Sequence, residues 1–213
     1  EAVQTIKAAD AGIQSINTLI AAAKSLATAA LSSEGTAIQT LNTQYTQVLN
    51  QIDRMAADSG YKGVNLLGGA DKSLTIKFSE SSGSTLNIAG FNAASTSAAS
   101  GLGLSVANWV NGSGATATVN TANVEAAIVS LDNATTKLRT ESSRMANNLG
   151  IITARQEFTQ GMINVLKDGA AGLTNADMNE EGANMLMLQT RQALGTTSLS
   201  LASQAAQAVL RLF

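Results

Sequence analysis

Apolar positions between residues 124 and 166 recur in an unbroken 4-3-4-3 spacing: Val124, Ile128, Leu131, Thr135, Leu138, Ser142, Met145, Leu149, Ile152, Gln156, Thr159, Ile163 and Leu166. A heptad keeps one narrow face turned toward a partner, so this spacing predicts a long helix with a coiled-coil seam. The sharpest seam positions are Ile128, Leu131, Leu138, Met145, Leu149 and Ile152. At 1.5 Å per residue the helix would run roughly 65 Å, whereas a compact globule of this chain length is roughly 45 Å across. The expected fold is therefore mainly α with a small β-hairpin region, an elongated coiled-coil-like helical bundle. Four of the seam positions are polar (Thr135, Ser142, Gln156 and Thr159), and polar seam residues fix register at some cost in stability.

The same pattern organises the rest of the chain. Ile6, Ala9, Ile13, Ile16, Ile20, Ala23, Ala27 and Ala30 predict one amphipathic helix over residues 1–31, stopped by Ser32-Ser33-Glu34-Gly35. Ile38, Leu41, Tyr45, Val48, Ile52 and Met55 mark a second, ending at Asp58-Ser59-Gly60 with Gly60 as a left-handed C′ residue. The short connection makes the two antiparallel neighbours. Residues 61–70 read as an extended turn. Leu74, Ile76 and Phe78 then alternate with polar residues as a half-buried strand. Glu80 to Gly83 is a turn, and Leu86, Ile88 and Phe91 form the hairpin partner. Residues 93–120 read as loop or weak β structure. The long helix starts after Asn120 or Asn123 and runs to about Lys167, and Gly169 and Gly172 mark a joint. Residues 176–213 form a last helix with Met187, Leu194, Leu201, Ala205, Ala208 and Leu212 on one face. No other segment is left to pair with it, so that face is expected to await another chain. The domain boundaries that follow are 1–70, 71–122, 123–167 and 168–213.

Composition narrows the chemistry. Apolar residues make up 45%, but aromatics only 3%, which suits closely packed Ala-rich seams rather than thick cores. Neither Cys nor His occurs, which removes thiolate nucleophiles, cysteine zinc sites, Ser-His-Asp triads and imidazole ligands. The absence of Pro favours long helices. A net charge of −2 with scattered basic residues gives no footprint for nucleic acid or a polybasic membrane contact. No apolar run approaches the ~20 residues of a membrane span. Adjacent Glu180 and Glu181 suit the N-terminal dipole of the last helix better than acid–base catalysis. Asp168 and Asp177 match no EF-hand spacing. No enzyme, cofactor or metal is expected. Trp109, the one Trp, either caps a small core or offers an aromatic face to a sugar or partner. The Ser/Thr/Asn-rich stretch 92–121 presents hydroxyls and amides suited to O-glycosylation or polysaccharide contact.

Several motifs together resemble bacterial flagellin. Leu49-Asn50-Gln51-Ile52-Asp53-Arg54 is similar to the family's L-x-x-I-D-R helix end, and Tyr61-Lys62-Gly63-Val64-Asn65-Leu66-Leu67 to its F-N-G-x-x-L-L turn. Asn175-Ala176-Asp177-Met178 resembles the joint before the terminal arm. Leu194-Gly195-Thr196-Thr197-Ser198-Leu199-Ser200-Leu201-Ala202 and Val209-Leu210-Arg211-Leu212-Phe213 resemble the arm itself. The resemblance implies an extracellular filament subunit, exported by the flagellar apparatus with a chaperone and assembling with copies of itself. Its assembly interface would include Met187, Leu194, Leu199, Leu201, Leu210, Leu212 and Phe213. Three departures qualify it. The family's N-terminal arm, which carries the export signal, is expected upstream of Glu1. No large outer domain separates hairpin from long helix. Ala206 stands where Pro is frequent. In Ala21-Ala22-Ala23-Lys24-Ser25-Leu26-Ala27, Ala22 replaces an expected Arg, which implies weak recognition by the Toll-like flagellin receptor. Alternative readings are a surface polysaccharide-binding adhesin and a hook–filament junction protein; the closing Leu-Arg-Leu-Phe favours filament flagellin over the latter.

Overall fold

The computed structural model describes residues 1–79, 83–95, 101–174 and 178–211. Four helices dominate: α1 (Ala2–Ala30), α2 (Gly35–Asp58), α3 (Thr121–Thr174) and α4 (Met178–Leu210). A hairpin of β1 (Ser73–Lys77) and β2 (Thr85–Ala89) follows α2, and a two-residue ladder joins β3 (Val110–Asn111) to β4 (Thr118–Val119). The chain divides into two units, Glu1–Glu157 and Phe158–Phe213.

The first unit is built on the predicted stripe of α1 and on a shifted one of α2, where Leu49 is buried and the expected Leu41, Val48 and Met55 are half-buried. Ile6, Ile13, Ile16, Ile20 and the alanines between them are buried on α1, and Ile38, Tyr45, Leu49 and Ile52 on α2. Small residues let the backbones approach closely. A Cβ on Gly12 would lie 2.1 Å from Ser59 Oγ and 2.7 Å from Leu67 Cδ1, so only glycine fits between α1 and the end of α2.

That end is closed differently from the sequence expectation. Gly60 does not take a left-handed conformation; positive φ falls instead on Lys62 and Gly63, at 49° and 82°. Side chains satisfy the open carbonyls in its place. Ser59 Oγ donates to Met55 O at 2.5 Å, and Asn65 Nδ2 donates to Ala56 O and Ala57 O at 2.8 and 2.9 Å. With its last carbonyls bonded by an amide from the following turn, α2 needs no glycine cap. The same turn drives Leu66 and Leu67 into the core.

The hairpin register pairs Leu74 with Ile88 and Ile76 with Leu86. Arg144 Nη1 donates to Ala89 O at 2.8 Å, and the Arg155 guanidinium lies 5.4 Å from the centre of the Phe78 ring. Both contacts tie the hairpin to α3. Of the expected turn between the strands, residues 80–82 lie outside the described residues.

The segment expected to be loop or weak β structure is anchored. Leu102, Leu104 and Trp109 are buried, Tyr45 Oη donates to Ser105 O at 3.2 Å, and the Trp109 N–H donates to Asn42 Oδ1 at 3.1 Å. Asn120 then starts α3 as its N-cap, its Oδ1 accepting from the Asn123 N–H at 3.2 Å.

Candidate assembly interface

The seam on α3 can be followed residue by residue. Leu131, Leu138, Met145 and Ile152 are buried, and Ile128 and Leu149 are half-buried against the core. Two polar contacts set the register with α1: Ser142 Oγ donates to Asp10 Oδ1 at 2.8 Å, and Lys24 Nζ to Asp132 Oδ1 at 2.5 Å. The residue number rises along α1 as it falls along α3, so the helices are antiparallel. Counting back from the Asp10–Ser142 contact at equal rise brings Glu1 level with roughly residue 151.

Beyond Ile152 the stripe is no longer buried. Gln156, Thr159, Ile163 and Leu166 are exposed, although the sequence pattern placed them on one continuous seam. The period is uninterrupted, but burial stops with Ile152. The expected joint is also displaced. α3 runs on to Thr174 through Gly169 and Gly172, neither of which would bring a Cβ within 4 Å of a neighbour. Each glycine costs a helix about 1 kcal/mol relative to Ala, which weakens the helix without stopping it. Residues 175–177 of the joint motif, Asp177 among them, lie outside the described residues.

In the second unit no residue of α4 is buried. Leu194 is 62% exposed and Leu199 is 75% exposed, and Met187, Leu201 and Leu210 are open to a similar degree. Leu212 and Phe213 lie outside the described residues. Sequence reasoning singled out one face of this helix and missed a second feature. Met185, Leu186, Met187 and Leu188 are consecutive and all exposed. At 100° per residue, four consecutive side chains sweep roughly 300° of the helix circumference. Apolar surface therefore surrounds this part of α4, a signal that lies in the uninterrupted run rather than in any periodicity. Glu180 and Glu181 occupy its first turn, where carboxylates favour the helix dipole.

Trp109 does not offer a ligand face. Its ring is 0% exposed and packs 4.3 Å from the Tyr45 ring at 45°. The polar sequence around it gives no sign of these contacts with Tyr45 and Asn42 of α2. Burial raises the Tyr45 phenol from 10.0 to about 12. No cluster of three or more metal-ligating side chains occurs among the described residues, and no described helix is long and apolar enough to cross a membrane.

A family model described as the bacterial flagellin C-terminal helical region matches residues 121–213. Over these residues the chain is similar to the flagellins. Flagellin C of Rhizobium meliloti strain 1021 is 37% identical over a stretch covering 40% of this chain and 32% of that protein. Flagellin A of the same strain is 37% identical over 43% of this chain and 23% of its own length. A Brucella melitensis flagellin is 37% identical over 29% and 22% respectively. The chain thus spans a third or less of the length of these curated relatives. The crystal structure of Bacillus cereus flagellin shares the fold, with a TM-score of 0.57 and 21% identity over 72% of this chain and 83% of that one.

Proposed function

We propose that this flagellin-type chain is part of a structural subunit that self-assembles into an extracellular flagellar filament. The observation that carries this reading is the apolar surface surrounding α4 between Met185 and Leu188. A single coiled-coil partner covers only a narrow stripe, so a turn that is apolar on all sides needs more than one neighbour. A homopolymer supplies them. Met187, Leu194, Leu199, Leu201 and Leu210 are the contacts assigned here to assembly, with Leu212 and Phe213 extending them. The packed first unit would serve as the body from which the terminal helix reaches other copies.

Export by the flagellar apparatus with a chaperone belongs to the same reading, because an apolar helix of this kind needs cover before assembly. The adhesin reading drew on the polar middle segment, the lack of a large outer domain and Trp109 as a sugar contact, and burial of that ring takes away the last of these. The test is deletion of residues 176–213 from the full-length natural protein. Electron microscopy should then show no filaments, while circular dichroism still reports a helical first unit. Normal filaments from the deletion would overturn the proposal.

A further inference from the structure

We propose that Asn111 is a site of spontaneous self-modification, at which the nitrogen of Gly112 converts the carboxamide to aspartate or isoaspartate. Asn111-Gly112 is the one Asn-Gly pair in the sequence. Three features of its setting favour the reaction. Asn111 is exposed at the end of β3. Gly112 has no side chain to obstruct its nitrogen, and its φ of +85° suits glycine far better than other residues. Its N–H donates no backbone hydrogen bond among the described residues, so the nitrogen is free to lose its proton and attack.

A fourth feature concerns charge. Asn120 Nδ2 donates to Asn111 Oδ1 at 3.4 Å. That oxygen carries the negative charge when the tetrahedral intermediate forms, and a donor aimed at it lowers the barrier. Asn120 is the N-cap of α3, so the positive end of the helix lies beside the same oxygen. Asn120 thus acts as a positioning residue, holding the carboxamide while it caps the helix. Asparagines inside α3, such as Asn133, Asn147 and Asn148, differ in the decisive respect. The N–H that follows each of them belongs to the helical ladder and is not available as a nucleophile.

The step balances without an oxidant or reductant. The Gly112 nitrogen bonds to Asn111 Cγ and gives up its proton to solvent, while the Cγ–Nδ2 bond breaks and Nδ2 leaves as ammonia. Water then opens the resulting ring at either carbonyl, giving aspartate or, through the longer main chain, isoaspartate. One ammonia leaves and one water enters. The surroundings make the outcome consequential. Asn111 is the register partner of Thr118, and the loop between them accepts from Gly35 N at Ala117 O, 2.8 Å, and from Gln39 Nε2 at Gly114 O, 3.4 Å. An extra main-chain atom at 111 shifts this register against the start of α2.

The experiment incubates the purified chain in mildly alkaline buffer and follows peptides by mass spectrometry, alongside a free peptide of residues 108–114. Asn111 should convert at a rate within about tenfold of the peptide, as expected for an exposed turn that opens at little cost. Peptides holding Asn133, Asn147 and Asn148 should stay intact. Asn111→Gln should abolish the signal without changing the circular dichroism spectrum. Asn120→Asp keeps an N-cap oxygen but loses the donor, and should slow conversion about fivefold, the worth of one exposed hydrogen bond. An intact Asn111 in the folded chain, after a time that fully converts the peptide, would overturn the proposal. An unchanged rate in Asn120→Asp would overturn the role given to Asn120.

Discussion

The same substitution made on the two long C-terminal helices should have opposite consequences, and the contrast tests how the chain divides its labour. Leu138 on α3 is 0% exposed, whereas Leu194 on α4 is 62% exposed. Leu138→Ala empties a fully buried position in the core cluster, so it should destabilise the isolated subunit by about 2–5 kcal/mol, the range for buried Leu-to-Ala changes. Leu194→Ala removes nothing that is packed, and the isolated subunit should change by less than about 0.5 kcal/mol. Assembly should reverse the order of interest. Fully burying an exposed Leu contributes roughly 1.5–3 kcal/mol. Since 62% of Leu194 remains to be covered, its truncation should weaken each subunit's addition by roughly 1–2 kcal/mol. That raises the threshold concentration for polymerisation about 5- to 30-fold, at 1.4 kcal/mol per factor of ten. Urea denaturation followed by Trp109 fluorescence measures the first quantity. Sedimentation of polymer from the full-length natural protein, over a concentration series, measures the second. A Leu194→Ala subunit as unstable as Leu138→Ala would refute the reasoning, because α4 would then be packed within its own chain. So would an unchanged polymerisation threshold.

Amide hydrogen exchange should separate the two units: core amides of α1 and α2 should be protected to the global limit, and those of α4 should exchange quickly in the isolated chain, since no side chain of α4 is buried. Equal protection of α4 and α1 would contradict the exposure of the terminal helix. The Tyr45 phenol, raised by burial from 10.0 to about 12, should leave stability unaffected below pH 10 and lower it as pH rises toward about 12, because the unfolded chain ionises first. Denaturation curves for wild type and Tyr45→Phe should diverge at lower pH by about 0.5–1.5 kcal/mol for the lost bond to Ser105 O and converge across that window. Two glycines should respond to alanine with opposite sign. A Cβ at Gly90 would lie 2.4, 2.6 and 2.8 Å from the carbonyl oxygens of Lys72, Gly69 and Leu66, so Gly90→Ala should cost about 1–3 kcal/mol. Gly150, in α3 with open space around it, should gain up to about 1 kcal/mol on becoming Ala, and thermal denaturation reads both.

What was legible in the sequence was what a single helix or hairpin decides for itself. The seven-residue period of α3, the alternation of Leu74, Ile76 and Phe78, and the small-residue stripe of α1 are local patterns, and a stripe of side chains faces one way whatever lies opposite. What was not legible depended on how far the neighbours extend. The stripe from Gln156 to Leu166 keeps the same 4-3 spacing as the stripe from Val124 to Ile152. Only the structure shows that burial along it stops at Ile152. The close of α2 failed for a related reason. Glycine after a helix suggests a left-handed cap, but the deciding donor was the Asn65 side chain, six residues past Ser59 and reaching back to Ala56 and Ala57. For Trp109 the sequence left a core cap and an exposed contact both open, because the polarity of its sequence neighbours says nothing about Tyr45, which comes from another element; the structure decides for the core. α4 shows the converse. Its run from Met185 to Leu188 was written plainly in the sequence, yet a search for one face discards residues that point away from it. An apolar residue on the wrong side of an amphipathic helix is noise in a monomer. In the self-assembly proposed above there is no wrong side, and the departure from period is then what the helix has to say about its surroundings.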